Sequence, residues 1–211
     1  MCRTSDVSQG LRRATCFVID LCNETSTVKR IFLTLAVMAT IFLVATIVLG
    51  LNIGDAKELK PETQARISTH MLVGLAALTF ATLVHAISLT YFMGTGRWLE
   101  ETSRAYSLDE SFYLQSQKIK YRTLPGLTFC VLMLIVTGAL GAVADPATPM
   151  SLDGTLGMSS AQIHFFSAIA TAVISLVTNF TQYLAISANS RIVDAVLEEV
   201  HRIRVDRGLP V

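Results

Sequence analysis

The chain has 211 residues, of which 52% are hydrophobic and only 16% are charged, and its formal net charge is +1. Soluble domains contain roughly 25% charged residues, so this composition excludes an ordinary soluble domain and indicates a protein that lies in a membrane. The nearly neutral net charge provides no basic surface for a polyanion, which argues against nucleic acid as a partner.

Four apolar segments follow one another along the chain, and each is long enough to cross a bilayer, which takes about 20 residues. They cover residues 31–51, 70–92, 124–143 and 163–186, and none contains Lys, Arg, Asp or Glu. The sequence therefore predicts an all-α protein with a bundle of four transmembrane helices over residues 31–186. An N-terminal segment, 1–30, precedes the bundle, and a tail, 187–211, follows it.

The basic residues near the spans predict the side of the membrane on which each connection lies. Lys29 and Arg30 precede the first span, and Lys and Arg recur between the second and third spans and in the tail. Residues 144–162 contain neither. Because Lys and Arg are enriched in cytoplasmic connections, we expect a multipass protein of a bacterial-type inner (cytoplasmic) membrane, with the lipid bilayer as its surroundings and both termini in the cytoplasm.

Local signals predict where several helices begin and end. Pro61 suits the first position of a helix that starts before the second span. Ser159 and Gln162 have the spacing of a capping box ahead of the fourth span. Gly94 and Gly96 predict that the chain leaves the second helix shortly after its span.

The tail has the pattern of an amphipathic helix that continues the fourth span into the cytoplasm. Ile192, Val196, Val200 and Ile203 recur on one face, while charged residues occupy the other faces. Such an apolar stripe requires a partner helix, in the same chain or in another copy. We favour self-association, and expect a homo-oligomer or a subunit of a membrane complex.

A repeated pattern of small and polar residues runs along the second and fourth spans, and in each it begins at a histidine. At 100° per residue, positions 4, 7, 11, 15 and 18 after a residue lie within about 60° of it on a helix. From His70 these positions are Gly74, Ala77, Ala81, His85 and Ser88, and from His164 they are Ala168, Thr171, Ser175, Asn179 and Gln182. Each helix therefore presents a narrow stripe without leucine, headed by an imidazole.

Topology places His70 and His164 at nearly the same depth, because the second and fourth spans cross the membrane in the same direction. Near that depth the other spans supply Gly50, Gly138 and Gly141. Glycines leave clearance beside a planar cofactor, and they also permit close packing of membrane helices.

A second polar level is predicted deeper in the bundle. His85 lies about 22 Å along the helix from His70, and Asn179 stands at the corresponding position of the fourth span. A lone histidine inside a membrane is a candidate functional residue. The role that we expect for His85 is a hydrogen bond to Asn179 or to a backbone carbonyl.

Histidines paired across the second and fourth helices of a four-helix membrane core, with a further histidine deeper, resemble the haem-binding arrangement of membrane b-type cytochromes. The resemblance covers these two helices only. It implies that His70 and His164 are the axial ligands of one b-type haem near the outer face, for electron transfer or redox sensing. That family fills two levels with four histidines; here Asn179 replaces the fourth, so the resemblance does not extend to a second haem.

Two other interpretations stay open. The stripes could be packing seams in an accessory or structural subunit, since membrane helices commonly pack through small and hydroxyl residues. Alternatively, the protein could handle copper, which binds histidine and methionine, through His70, His164, Met71, Met150 and Met158. It could also be a small transporter or channel subunit. No catalytic residues are assigned, because no span has a carboxylate to orient a histidine, and whether the protein is an enzyme stays open.

Overall fold

The computed structural model describes residues 5–54 and 60–209, with side chains described from residue 27 onward. Over these residues it contains four α-helices, one short 3-10 turn at Thr155–Gly157 and no β-strand. The helices are α1 (Ser5–Leu51), α2 (Pro61–Tyr106), α3 (Ser111–Ala144) and α4 (Ser160–Asp206). The all-α prediction is confirmed for this part of the chain; residues 1–4 of the N-terminal segment and residues 55–59 of the first loop lie outside it.

Each predicted span lies within one of these helices, and all four helices are long and apolar enough to cross a membrane. Only 17–28% of each apolar window is buried inside the chain, so the remaining apolar surface requires lipid around it. At 1.5 Å per residue, α2 and α4 are roughly 70 Å long, about twice the hydrocarbon thickness of a bilayer. Both helices are therefore longer than a single span requires, and α4 continues through the tail as predicted.

The predicted helix starts are confirmed. Pro61 stands at the beginning of α2, with Glu62 in the first turn. Ser159 and Gln162 form a complete capping box: Ser159 Oγ accepts from the backbone N–H of Gln162 at 3.3 Å, and Gln162 Oε1 accepts from that of Ser159 at 2.9 Å. These contacts satisfy amide groups that have no partner in the first turn of a helix.

The prediction that the chain leaves α2 at Gly94 and Gly96 is wrong. The helix continues to Tyr106 and ends at Ser107, which has left-handed backbone angles (φ 54°, ψ 44°). A Cβ at Gly96 would lie 3.1 Å from Gln117 Nε2 of α3, so the absence of a side chain permits close packing of the two helices. Residues 94–106 and the first turns of α3 therefore form a helical hairpin beyond the span.

The apolar stripe of the tail is covered within the chain. Val196 is fully buried, and Ile192, Val200 and Ile203 are partly buried. The stripe could pack on a helix of the same chain or of another copy, and the structure shows burial within the same chain. The stripe therefore gives no support to self-association.

The centre of the bundle is both apolar and polar. Its apolar cluster includes Phe32, Phe92, Cys130, Leu134 and Ile186. The face of α4 that enters the bundle is polar along most of its length, and its buried residues include Thr171, Ser175, Thr178, Asn179, Gln182, Asn189 and Ser190. A buried polar group is costly unless it finds a hydrogen-bonding partner, so the polar side chains on this face require partners inside the bundle.

Candidate cofactor site

The two histidines that head the stripes lie together at one end of the bundle. The His70 ring of α2 and the His164 ring of α4 have centroids 6.1 Å apart, and their planes meet at 84°. Both rings are half-buried. We call this end, where α2 and α4 begin, the histidine end, and the opposite end the tail end.

The His70 ring is held by α1. Its Nδ1 lies 3.0 Å from the carbonyl oxygen of Thr46. A carbonyl oxygen can only accept a hydrogen bond, so Nδ1 carries the proton and Nε2 of the neutral ring keeps its lone pair. Histidines that bind metals are commonly oriented in this way, with the second ring nitrogen donating to a carbonyl.

Gly50, one turn beyond Thr46 on α1, allows the His70 ring to approach the helix. A Cβ at Gly50 would lie 3.0 Å from Cε1 of the ring and 3.3 Å from Nδ1. Almost any side chain at position 50 would therefore push the ring away from α1. The group that Gly50 accommodates in this structure is the histidine ring, and clearance for a planar cofactor stays a prediction.

The His164 ring has an equivalent setting against α3. A Cβ at Gly141 would lie 3.0 Å from His164 Cε1 and 3.4 Å from Nδ1. His164 Nδ1 is buried, and its interaction with the Thr137 backbone falls short of full hydrogen-bonding geometry. Below the ring, Thr137 Oγ1 lies 2.7 Å from Thr171 Oγ1 and 2.8 Å from Ser167 Oγ, which joins α3 to α4.

The helices that hold the two histidines, α1 and α3, share a sequence pattern that the stripes on α2 and α4 do not reveal. On α1, Thr46 and Gly50 are separated by four residues, and on α3, Thr137 and Gly141 have the same spacing, with a leucine before each glycine. Each glycine accommodates the histidine of the following helix. Comparing the first half of the chain with the second would have identified Thr46 and Thr137, which sequence analysis missed.

Gly138 has a different role from the other two glycines. A Cβ at this position would lie 2.9 Å from Leu78 Cδ1, so Gly138 accommodates an apolar side chain of α2. It therefore contributes to the close approach of α2 and α3, and lies beside the histidine pair without contacting either ring.

A cavity of about 730 Å³ lies at the histidine end. All four helices line it, mostly with apolar side chains, and its floor reaches Ala77 on α2 and Thr171 on α4. His70, His164, Gly50, Gly138 and Gly141 all belong to the lining. Cavities for small molecules and cofactors typically measure about 300–1,000 Å³ and have such a lining, so the predicted outer site residues converge on a space of suitable size.

The deeper polar level is present, but its contacts differ from the expected ones. His85 is buried, and its Nδ1 lies 3.0 Å from Nε2 of Gln182 rather than from Asn179 or a backbone carbonyl. Sequence analysis placed Gln182 on the stripe without assigning it this role. The side-chain nitrogen and oxygen of Asn179 have no hydrogen-bonding partner within the described part of the protein.

A third polar contact set lies nearer the tail end and is well satisfied. Asn189 of α4 donates from Nδ2 to Thr95 Oγ1 at 3.0 Å and to the Tyr91 hydroxyl at 3.3 Å. Its Oδ1 accepts from Ser116 Oγ of α3 at 2.6 Å. One amide thus joins α2, α3 and α4, and this contact set shows how a buried amide in the bundle is satisfied by protein groups alone.

Within residues 5–54 and 60–209, no group of three or more His, Cys, Asp or Glu side chains is placed to hold a metal ion. Met71 and Met150 of the copper interpretation are 52% and 66% exposed. In comparisons with known proteins, no family model, no curated protein and no solved structure matches the chain. A functional assignment therefore depends on the geometry of the site.

Proposed function

We propose that the protein binds one b-type haem at the histidine end, through His70 and His164, and that it transfers or senses electrons there. The observation that carries the proposal is the separation of the two rings, whose centroids are 6.1 Å apart. The supporting observations are the hydrogen bond that orients His70, the glycines behind both rings and the apolar cavity that contains them.

The ring separation would allow His70 and His164 to hold one metal ion between them. An imidazole nitrogen lies roughly 1.1 Å from its ring centroid, and a metal–nitrogen bond measures about 2.0–2.1 Å. Two rings that each gave one nitrogen to the same ion would therefore have centroids no more than about 6.3 Å apart, and the 6.1 Å in the structure is within this reach.

The surrounding residues prepare the two nitrogens for this role. The Thr46 carbonyl fixes the proton of His70 on Nδ1, so that the lone pair of Nε2 is available to a metal. Gly50 and Gly141 set the depth of each ring against its neighbouring helix. The mostly apolar lining of the cavity gives the ligand nitrogens surroundings of low polarity, and such surroundings are one means by which a protein tunes the potential of a bound haem.

A bound haem would supply one-electron redox chemistry at this end of the bundle. The second level does not repeat the histidine pair, because Asn179 stands where a partner of His85 would be needed. The proposal is therefore limited to one haem per chain.

We also propose that the protein is a multipass protein of an inner membrane, with both termini in the cytoplasm. Its support is the abundance of Lys and Arg between α2 and α3 and in the tail, and their absence from residues 144–162. In this orientation the histidine end lies near the outer face, where electrons would be exchanged with a partner outside the cytoplasm.

The alternative is an accessory subunit in which the histidines only pack against each other. One observation favours it: two rings with centroids at 6.1 Å and planes at 84° also form an edge-to-face contact. The hydroxyl contacts from Thr137 to Thr171 and Ser167 are likewise typical of a packing seam.

Haem content separates these functions. Protein extracted from membranes in detergent should contain about one haem per chain, measured by its optical spectrum after denaturation in pyridine. The variants His70→Leu and His164→Leu should lose most of it, while the matched control His85→Leu retains it. Folding of each variant is checked by circular dichroism.

A folded, colourless protein would contradict the haem proposal and leave the packing alternative. Two haems per chain, with one lost in His85→Leu, would contradict the single-site assignment. Copper retained in stoichiometric amount in the same preparation, and lost in His70→Leu, would instead support metal handling at the outer face.

A further inference from the structure

The middle of the bundle contains a group of buried polar side chains that do not satisfy one another. We define the deep polar cluster as His85, Ser88, Ser175, Asn179 and Gln182, all of which are at most 6% exposed. Four of them have side-chain atoms without a hydrogen-bonding partner among the described residues: His85 Nε2, Ser88 Oγ, both amide atoms of Asn179 and Gln182 Oε1. Ser175 Oγ lies beside the thiol of Cys130.

Some other polar side chains in the same bundle are satisfied by protein groups, although Ser103 Oγ and Ser190 Oγ, outside the cluster, also have no partner among the described residues. The amide of Asn189, equally buried, contacts three protein hydroxyl groups. Thr137 and Thr171 pair with each other at 2.7 Å. A membrane offers no water from outside to a buried polar group, so an unsatisfied group there requires a partner inside the protein. The deep polar cluster must therefore find its partners in something that it binds.

The chemistry of the cluster selects a small neutral ligand. Asn179 presents both a donor and an acceptor, Gln182 presents an acceptor, and the serine hydroxyls can act as either. The four spans contain no charged residue, and no set of three metal-ligating side chains occurs in the described part of the chain. Mixed donors and acceptors without charge suit water, which occupies buried sites where two to four polar groups converge.

A route to the cluster begins at the cavity of the histidine end. The cavity floor includes Thr171 of α4 and Ala77 of α2. The next residues on these faces are Ser175 and Ala81, and Asn179 and His85 follow. Each step of four residues advances about 6 Å, a distance that one water molecule can bridge between two polar groups.

The opposite side of the cluster is closed by large apolar side chains. Phe32 of α1, Phe92 of α2 and Ile186 of α4 belong to one buried cluster and are at most 2% exposed. Ile186 lies one turn beyond Gln182, and Phe92 lies two turns beyond His85. These residues separate the deep polar cluster from the polar contacts of Asn189.

We infer that the deep polar cluster is an internal water-binding site, supplied from the cavity of the histidine end. This site goes beyond the proposed haem function and does not depend on it. The cluster lies deeper than the cavity, and the hydrogen bond of His85 joins it to Gln182 rather than to His70 or His164.

Water contact can be measured on the full-length protein in lipid bilayers by solid-state NMR, with or without a bound haem. Magnetisation is transferred from water to the 15N-labelled side chains of asparagine and histidine. We expect rapid transfer to the Asn179 amide and the His85 ring, and roughly tenfold slower transfer to the Asn189 amide, whose groups are bound to protein hydroxyls. Equally slow transfer to Asn179 and Asn189 would overturn the inference.

Two substitutions test the direction of entry. Ser175→Val interrupts the polar face between the cavity and the cluster, and should slow the transfer to Asn179 and His85 several-fold. Thr178→Val, the matched control on the neighbouring face of α4, should leave it unchanged. Unchanged transfer in Ser175→Val would show that water does not enter from the histidine end. If the purified protein contains no haem but water still transfers magnetisation to Asn179, the haem proposal is refuted and the water-binding site is supported.

Discussion

Replacing Gly50 by alanine should displace the His70 ring. A Cβ at this position lies 3.0 Å from His70 Cε1, which is about 0.5–1.0 Å closer than the usual carbon–carbon contact of roughly 3.5–4.0 Å. The ring has to turn to relieve this contact. The same turn stretches the 3.0 Å hydrogen bond from Nδ1 to the carbonyl oxygen of Thr46.

The substitution therefore has two effects that lower the free energy of unfolding and one that raises it. An off-rotamer displacement of about 30° costs roughly 0.5–1.5 kcal/mol, and a lost hydrogen bond costs about 0.5–1.5 kcal/mol. Alanine in a helix interior is favoured over glycine by about 1 kcal/mol. We therefore expect Gly50→Ala to lower the free energy of unfolding by about 0–2 kcal/mol.

Gly126→Ala is the matched control, because a Cβ at Gly126 in α3 meets nothing within 4 Å. It should keep the helix gain and raise the free energy of unfolding by up to about 1 kcal/mol. Gly141→Ala should lie between the two. Its Cβ also lies 3.0 Å from a histidine Cε1, but the interaction of His164 with the Thr137 backbone falls short of full hydrogen-bonding geometry, so less is lost when the ring turns.

The free energies of unfolding can be compared by titrating protein in mild detergent micelles with sodium dodecyl sulfate, and following helix content by circular dichroism. The expected difference between Gly50→Ala and Gly126→Ala is about 1–3 kcal/mol. Equal stabilisation by the two variants would show that the His70 ring is not held against α1.

Three further predictions concern the loops and the buried amides. The Asp109 carboxylate accepts a hydrogen bond from the backbone N–H of Ser111 at 2.7 Å, which lowers the pKa of Asp109. The stabilisation of the α2–α3 hairpin by this hydrogen bond is therefore present above about pH 3.9 and is lost as the pH falls through the lowered pKa. Hydrogen-exchange protection of the Ser111 amide should fall accordingly in acid. Asp109→Asn should remove this pH dependence. Ser159→Ala removes the capping box of α4 and should cost about 1 kcal/mol in the same detergent titration; no change would show that the cap does not stabilise α4. Asn189→Leu leaves three hydroxyl groups without their amide partner and should lower the free energy of unfolding by about 1–3 kcal/mol. Asn179→Leu removes an amide that has no hydrogen bond to a described protein group, and should lower it by less than half as much. A larger loss for Asn179→Leu than for Asn189→Leu would contradict this assignment.

Much of the fold could be predicted from the sequence because hydropathy and helix capping are local signals. The four spans, the start of α2 at Pro61 and the capping box at Ser159 all follow from residues that are close together in the chain. Gly96 misled the prediction of the helix end, because a glycine that ends a helix and one that permits close packing look alike in sequence. Only the approach of Gln117 from α3 distinguishes them.

The histidine pair was predictable for a different reason. Two spans that cross in the same direction place their first residues at the same depth, so the sequence predicts His70 and His164 at one level. Their pairing also requires α2 and α4 to be neighbours, which the structure shows. The partners of His85 could not be predicted in this way, because Asn179 and Gln182 are only three residues apart on α4 and a small rotation of the helix exchanges them. The tail was ambiguous for a similar reason, since an apolar stripe requires a partner but does not say which chain supplies it.

The most direct test of the central claim is the low-temperature electron paramagnetic resonance spectrum of the oxidised protein, purified with its bound groups. If His70 and His164 ligate one haem, the wild-type spectrum is that of low-spin iron with two imidazole ligands, and it becomes high-spin or disappears in His70→Leu and in His164→Leu. No haem signal from folded protein, or a low-spin signal that survives both substitutions, would contradict the claim that these two histidines form the site.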